Sequence, residues 1–257
     1  MLTVISPAKS LDFESPPRTK RFTDPVFLSS SRQLITELRK QSPKQVSKLM
    51  KISPKLGELN AARYKSWKPP FTPENAKQAV LAFRGDVYMG LDADTFSARD
   101  FTFSQKHLRI LSGLYGVLKP LDLIQPYRLE MGTKFRNKRG KDLYEFWGER
   151  LTKAVREELS GHRNKTLINL ASNEYFKSIN ANALGHRVVT PVFKDYSNGT
   201  YRVVGFFAKR ARGRMASFIT RQRINKPEDL QRFDLDGYRF AESMSDEDTW
   251  VFTRKGA

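Results

Sequence analysis

The densest chemistry in this chain lies in residues 104–132, where Gly113-Leu114-Tyr115-Gly116 sits between apolar runs and Lys119 and Arg128 follow. Each glycine can adopt the positive φ that ends a helix or turns a chain. Ser104-Gln105-Lys106-His107 leads into Leu108, Ile110 and Leu111, and the pattern stops at Gly113. Lys119-Pro120 restarts it, with Pro120 suited to a first helical turn. The spacing predicts a helix-hairpin-helix within about residues 104–125. In such an element the amides of Gly113, Leu114, Tyr115 and Gly116, with the next helix N-terminus, would hold a phosphate. Lys119 and Arg128 would add charge-assisted contacts, and Tyr115 could stack on an unpaired base, although a half-buried hairpin aromatic is the simpler role for it. The usual element has one hydrophobic residue between its glycines, where this chain has two. The same spacing also fits an ordinary corner that holds a core together.

Composition favours the phosphate reading. Lys and Arg number 46 against 27 Asp and Glu, a net charge of +19. Such an excess points to a polyanionic partner, nucleic acid or an anionic surface. The cations are clustered. Arg39, Lys40, Lys44, Lys48, Lys51, Lys55, Arg63, Lys65 and Lys68 face the single acid Glu58 within their stretch. Lys134, Arg136, Lys138, Arg139 and Lys141 form a second block. Lys209, Arg210, Arg212, Arg214, Arg221 and Arg223 form a third, with no acid among them. Converging blocks would make a basic cleft, with Lys209, Arg210, Arg212 and Arg214 as a second phosphate-contacting edge. Dispersed blocks would be solvated faces. Phosphate contacts read no bases, so binding to double-stranded or structured DNA would be sequence-independent and sensitive to salt.

An enzymatic reading centres on Lys9, just beyond the first apolar run. A lysine of depressed pKa beside a carboxylate could form a Schiff base at an abasic sugar. Lys9 in a buried polar pocket with Asp86, Asn173 or Asp195 would favour catalysis, and Lys9 on an open basic cleft would favour binding. Thiolate chemistry is absent with no cysteine. His107, His162 and His186 are far apart in sequence and lack ligand spacing; Asp92-Ala93-Asp94 and Asp246-Glu247-Asp248 could hold a hard cation but read more simply as a turn and a solvated tail, so no metal site and no cofactor are expected.

The elements that must position these residues are legible in part. The length suits one compact domain, and no apolar run approaches the roughly 20 residues of a membrane span. Met1–Ile5 is too short for a secretion signal, so a cytoplasmic location is expected by default, and the chain is expected to be a monomer. Strands are predicted at Leu2–Ser6, Thr166–Ala171, Arg187–Phe193, Tyr201–Phe207 and Asp248–Thr253. Asn198-Gly199 marks a hairpin. Helices are predicted at Ser30–Lys40, from Ser42-Pro43 to Met50, and from Ser53-Pro54 with Leu56, Leu59 and Tyr64 on one face. Two more are predicted at Leu143–Leu159 and Lys209–Arg223. Val80–Phe83 and Val87–Met89 bracket a tight turn at Arg84-Gly85-Asp86. Strands and helices mix without strict alternation, which gives an α+β fold with one mixed sheet surrounded by helices.

Several longer segments carry a resemblance. They are Ser6-Pro7-Ala8-Lys9, Arg84-Gly85-Asp86-Val87-Tyr88, the 108–132 block and Ile168-Asn169-Leu170-Ala171-Ser172-Asn173-Glu174-Tyr175-Phe176. Thr190-Pro191-Val192-Phe193-Lys194-Asp195 and Ala208-Lys209-Arg210-Ala211-Arg212-Gly213 extend it. Through these the whole chain resembles the YaaA family of bacterial peroxide-stress proteins. The resemblance implies a cytosolic protein, induced by hydrogen peroxide, that limits damage to DNA and protein. It also implies lower unincorporated iron, DNA binding and recombinational repair, and a single-domain fold unlike the common superfolds. A third reading is a regulatory partner acting on iron traffic through the acidic stretch Asp234, Asp236, Asp246, Glu247 and Asp248.

Overall fold

Strand β1 (Leu2–Ile5) is buried along its whole length in the computed structural model, which describes residues 1–255. It lies in an eight-stranded sheet with β2 (Leu108–Ser112), β3 (Gly116–Leu118), β4 (Leu167–Leu170), β5 (Val188–Ser197), β6 (Thr200–Arg202), β7 (Arg239–Phe240) and β8 (Thr249–Arg254). The order is β7-β8-β5-β4-β1-β2-β3, with β6 hairpinned onto β5. The central strands β8, β5, β4, β1 and β2 all run parallel. β3, β6 and β7 are antiparallel to their neighbours. The expected mixed sheet is therefore present, with a parallel centre that the reading did not anticipate. Every residue of β1, β2 and β4 is buried. Successive side chains point to opposite faces, so both faces of this centre are covered.

The covering helices are α1 (Leu28–Leu38), α2 (Pro43–Met50), α3 (Pro54–Ser66), α4 (Asp86–Leu91), α5 (Ala98–His107), α6 (Leu143–Trp147), α7 (Arg150–Ser160), α8 (Asn173–Phe176), α9 (Ala181–Leu184) and α10 (Gly205–Gln222). α2 begins as expected. Ser42 accepts from the Gln45 amide, and the Gln45 side chain accepts from the Ser42 amide, a reciprocal cap worth about 1 kcal/mol. In α3 the buried face is Gly57, Asn60, Ala61 and Tyr64, while Leu56 and Leu59 are exposed, against the predicted face. The predicted helix 143–159 is two helices, because Gly148 turns the chain at φ +49°. Among the described residues no helix is long and apolar enough to cross a membrane.

The largest departure is at residues 104–125. α5 ends at His107 and Leu108–Ser112 is a strand, so the segment is a helix followed by a β-hairpin, not a helix-hairpin-helix. Gly113, Leu114, Tyr115 and Gly116 are all buried. A side chain at Gly113 would strike the Leu129 carbonyl, and one at Gly116 would strike Trp147 and Leu151. These glycines serve close packing and offer no amide to a phosphate. Tyr115 is fully buried. Its hydroxyl accepts from Trp67 Nε1 (3.0 Å) and from the Gln125 amide (3.1 Å), so it stacks on no base. Trp67, Trp147 and Trp250 are all buried.

Candidate functional site

β1 sends the chain toward β2 on one side, whereas β4, its other neighbour, sends it toward β5 on the opposite side. The carboxyl ends of β1 and β4 are therefore a topological switch point, where open parallel sheets form their ligand crevices. Four of the family-like segments meet there. Ser172 donates its amide to Ser6 Oγ (2.9 Å), and the Ser6 hydroxyl donates to Ser172 Oγ (3.3 Å), tying the two strand tips together. The Tyr88 hydroxyl donates to the Ser6 carbonyl (3.1 Å). Gly85, at φ +143°, brings the Arg84–Tyr88 segment against Ala8; that backbone suits only glycine.

Residues 127–132 close the other side. Glu130 Oε1 accepts from Arg128 Nη2 (2.9 Å) and Nε (3.1 Å), and Lys9 Nζ lies 3.6 Å from it. The Gly132 amide donates to Glu174 Oε1 (2.9 Å), and the Arg128 carbonyl accepts from the Tyr64 hydroxyl on α3. Pro7, Ala8, Lys9, Tyr127, Glu130 and Tyr175 line a small cleft between these segments. Tyr127 and Ser112 share a 2.6 Å hydroxyl contact below it. Burial pushes the Tyr88, Tyr127 and Tyr175 hydroxyls well above the usual phenol range, so they are neutral hydrogen-bonding groups.

The predicted site residues are scattered. Lys9 is 68 % exposed, with Glu130 as its ion partner. Asp195 is elsewhere, buried against Arg254 Nε (2.7 Å) and the Tyr238 hydroxyl (2.9 Å). Arg128 is at the crevice. Lys119, expected beside it, lines a cavity at the amino end of the sheet with Met1 and His107. Lys209 and Arg210 are exposed on α10, and Arg212 and Arg214 are half-buried. Burial lowers the Arg212 pKa with no carboxylate to offset it. Arg214 and Arg210 reach Asp236 at 3.3 and 4.0 Å. α10 crosses α4 with almost no gap: a side chain at Gly213 would lie 1.9 Å from the Val87 carbonyl. The acidic C-terminal stretch is partly spent inside the molecule, since Asp236 meets these arginines and Asp248 holds Arg187 at 2.9 Å.

Sequence reasoning missed two groupings. The rings of His107 and His162, far apart in the chain, are 4.8 Å apart in the fold. The crevice also unites segments that the sequence gives no reason to join; two of them follow the apolar strands β1 and β4. Among the described residues, no group of three His, Asp or Glu is placed to hold a metal ion.

Residues 1–244 match the family model described as "Peroxide stress protein YaaA". A relative from Cellvibrio japonicus (strain Ueda107), named a UPF0246 protein, is 58 % identical over 255 residues, covering 99 % of both chains. A UPF0246 protein from Teredinibacter turnerae (strain ATCC 39867 / T7901) is 56 % identical over 255 residues, 99 % of this chain and 100 % of the relative. With the match spanning almost its whole length, the chain belongs to the YaaA family of peroxide stress proteins.

Proposed function

We propose that this peroxide-stress protein binds the phosphate backbone of double-stranded or structured DNA, largely without regard to base sequence, through its exposed basic surface. The observation that carries this reading is the positive charge left over after internal pairing. Lys44, Lys48, Lys51, Lys55, Lys65 and Lys68 on and around α2 and α3 are exposed, and no carboxylate partners them among the described residues. Glu37 on α1 is held below the usual carboxylate range chiefly by its hydrogen bond to Lys40, with Lys138 of the second block adding a smaller pull. Lys209 on α10 is a further exposed cation without a carboxylate partner among the described residues. The buried hairpin has no part in it. Exposed Lys9 beside Glu130 fits a binding rim better than the desolvated lysine that Schiff-base chemistry needs. A role in lowering free iron or in repair enters with the family resemblance alone.

The test is binding of the purified protein to duplex, bubble and junction DNA across a salt series. The logarithm of affinity should fall with that of salt by about 0.9 for each phosphate neutralised. Lys134→Glu with Lys138→Glu, and separately Lys209→Glu, should weaken all three DNAs alike and flatten the salt slope. Binding that ignores salt, or no binding at moderate salt, would overturn the reading.

A further inference from the structure

A cavity of about 1000 Å³ opens at the amino end of the sheet, away from the crevice. Lys106 comes from α5, Lys119 follows β3, Arg163 follows α7, and Lys226 follows α10. The one acid in the lining, Glu158, is already taken: its Oε2 lies 2.5 Å from Arg109 Nε, in charge contact without hydrogen-bond alignment. None of the other four cations has a carboxylate partner among the described residues. The C-terminal ends of α5, α7 and α10 point here, and each helix contributes about half a negative charge. Together they offset fewer than two of the four cations. A concave wall of one sign focuses its field and attracts counter-ions.

The histidines fit this field. The His107 ring bonds the Met1 carbonyl at 2.9 Å and stacks on Phe103 with ring centres 4.1 Å apart. Burial first, then neighbouring charge that includes His107 and Arg109, holds His162 down to about 4. A second hollow, lined by Phe103, Arg99 and Arg223, shares Lys106 and His107 with the first.

From this convergence we infer that the amino-end cavity binds a small polyphosphate anion, the phosphate chain of a nucleotide or its inorganic equivalent. The four cations would neutralise the chain, and Asn164 and Asn225 in the lining could donate to its oxygens. The site owes nothing to the DNA-binding reading, and α10's exposed Lys209 takes no part in it.

The probe is inorganic tripolyphosphate, read by thermal unfolding and by the ring-proton NMR signals of the three histidines. Tripolyphosphate should raise the melting temperature and move the His107 and His162 signals while His186 stays still. Arg163→Glu with Lys226→Glu alters two exposed residues and should weaken both responses at least about tenfold. Lys209→Glu should leave them unchanged. ATP binding as well as tripolyphosphate, with adenosine inert, would support the phosphate chain as the recognised group. Adenosine binding alone, responses that survive the double variant, or responses matched by sulfate at equal ionic strength would overturn the assignment.

Discussion

At the carboxyl end of the parallel sheet, cations meet carboxylates: Arg128 and Lys9 at Glu130 in the crevice, and Arg254 at Asp195 between β8 and β5. At the amino end, four cations share a cavity whose one acid already holds Arg109. The same residue types do different work at the two ends. Charge at the carboxyl end is consumed in fixing loops to strand tips. Charge at the amino end has no internal answer and must be met by solvent ions or a ligand. A basic composition read from sequence sums the two and cannot tell them apart.

The sharpest way to test this contrast is to remove an internal partner. Arg254→Ala leaves Asp195, only 4 % exposed, as an unpaired buried carboxylate. It should cost about 3–5 kcal/mol in urea unfolding. Gly213→Ala drives a methyl group into the Val87 backbone at the α4–α10 crossing. It should cost about 1–3 kcal/mol, since neither helix can yield by bending a side chain.

Acid probes the amino end. His162 titrates at about 4 in the fold and His107 is lowered as well, both through burial first, while unfolded rings take a proton near 6.5. The unfolded chain then binds more protons, so stability is full above about 6.5 and falls as the pH drops toward 4. Asp122 acts the other way. Burial raises it to about 6, so its favourable contribution is lost as the pH rises from its ordinary value of 3.8 through 6. Denaturant unfolding at about pH 5 and pH 7 should show a flatter acid loss in His162→Gln and a steeper one in Asp122→Asn. Identical pH dependence in both variants and the parent would break the argument.

The smallest effects should be the most telling. Arg163→Ala and Lys226→Ala remove exposed cations without partners, and each should change stability by less than about 0.5 kcal/mol. Lys9→Ala, although paired, should cost no more than about 1 kcal/mol, because the ammonium is 68 % exposed. A cost of several kcal/mol at Arg163 or Lys226 would mean that the amino end is structural after all.

Local signals in the sequence match the structure where local chemistry decides the conformation. Ser42 and Ser53 start α2 and α3, each followed by a proline, and Asn198 (φ +52°) with Gly199 (φ +80°) turns β5 into β6. Reading failed where long-range packing decides. Leu108, Ile110 and Leu111 look helical because Arg109 interrupts the apolar run, yet Arg109 is buried against Glu158 within β2. A strand covered on both faces loses its alternation, and a buried arginine hides it further. In the sequence Gly113 looks like an anion ligand, whereas it is small because the Leu129 carbonyl passes so close. The crevice was half legible: its segments stood out one by one. Their meeting depends on strand order, which no single segment encodes.

The burial of Trp67, Trp147 and Trp250 has a spectroscopic consequence. Trp67 and Trp147 donate their indole protons inside the core, to the Tyr115 hydroxyl and the Gly113 carbonyl, each at 3.0 Å. Intrinsic emission therefore reports the interior and is blind to the surface. Occupancy of the basic faces should leave the emission maximum in place, while unfolding should shift it to the red. A spectral change on adding DNA or polyphosphate would signal that the core itself had rearranged.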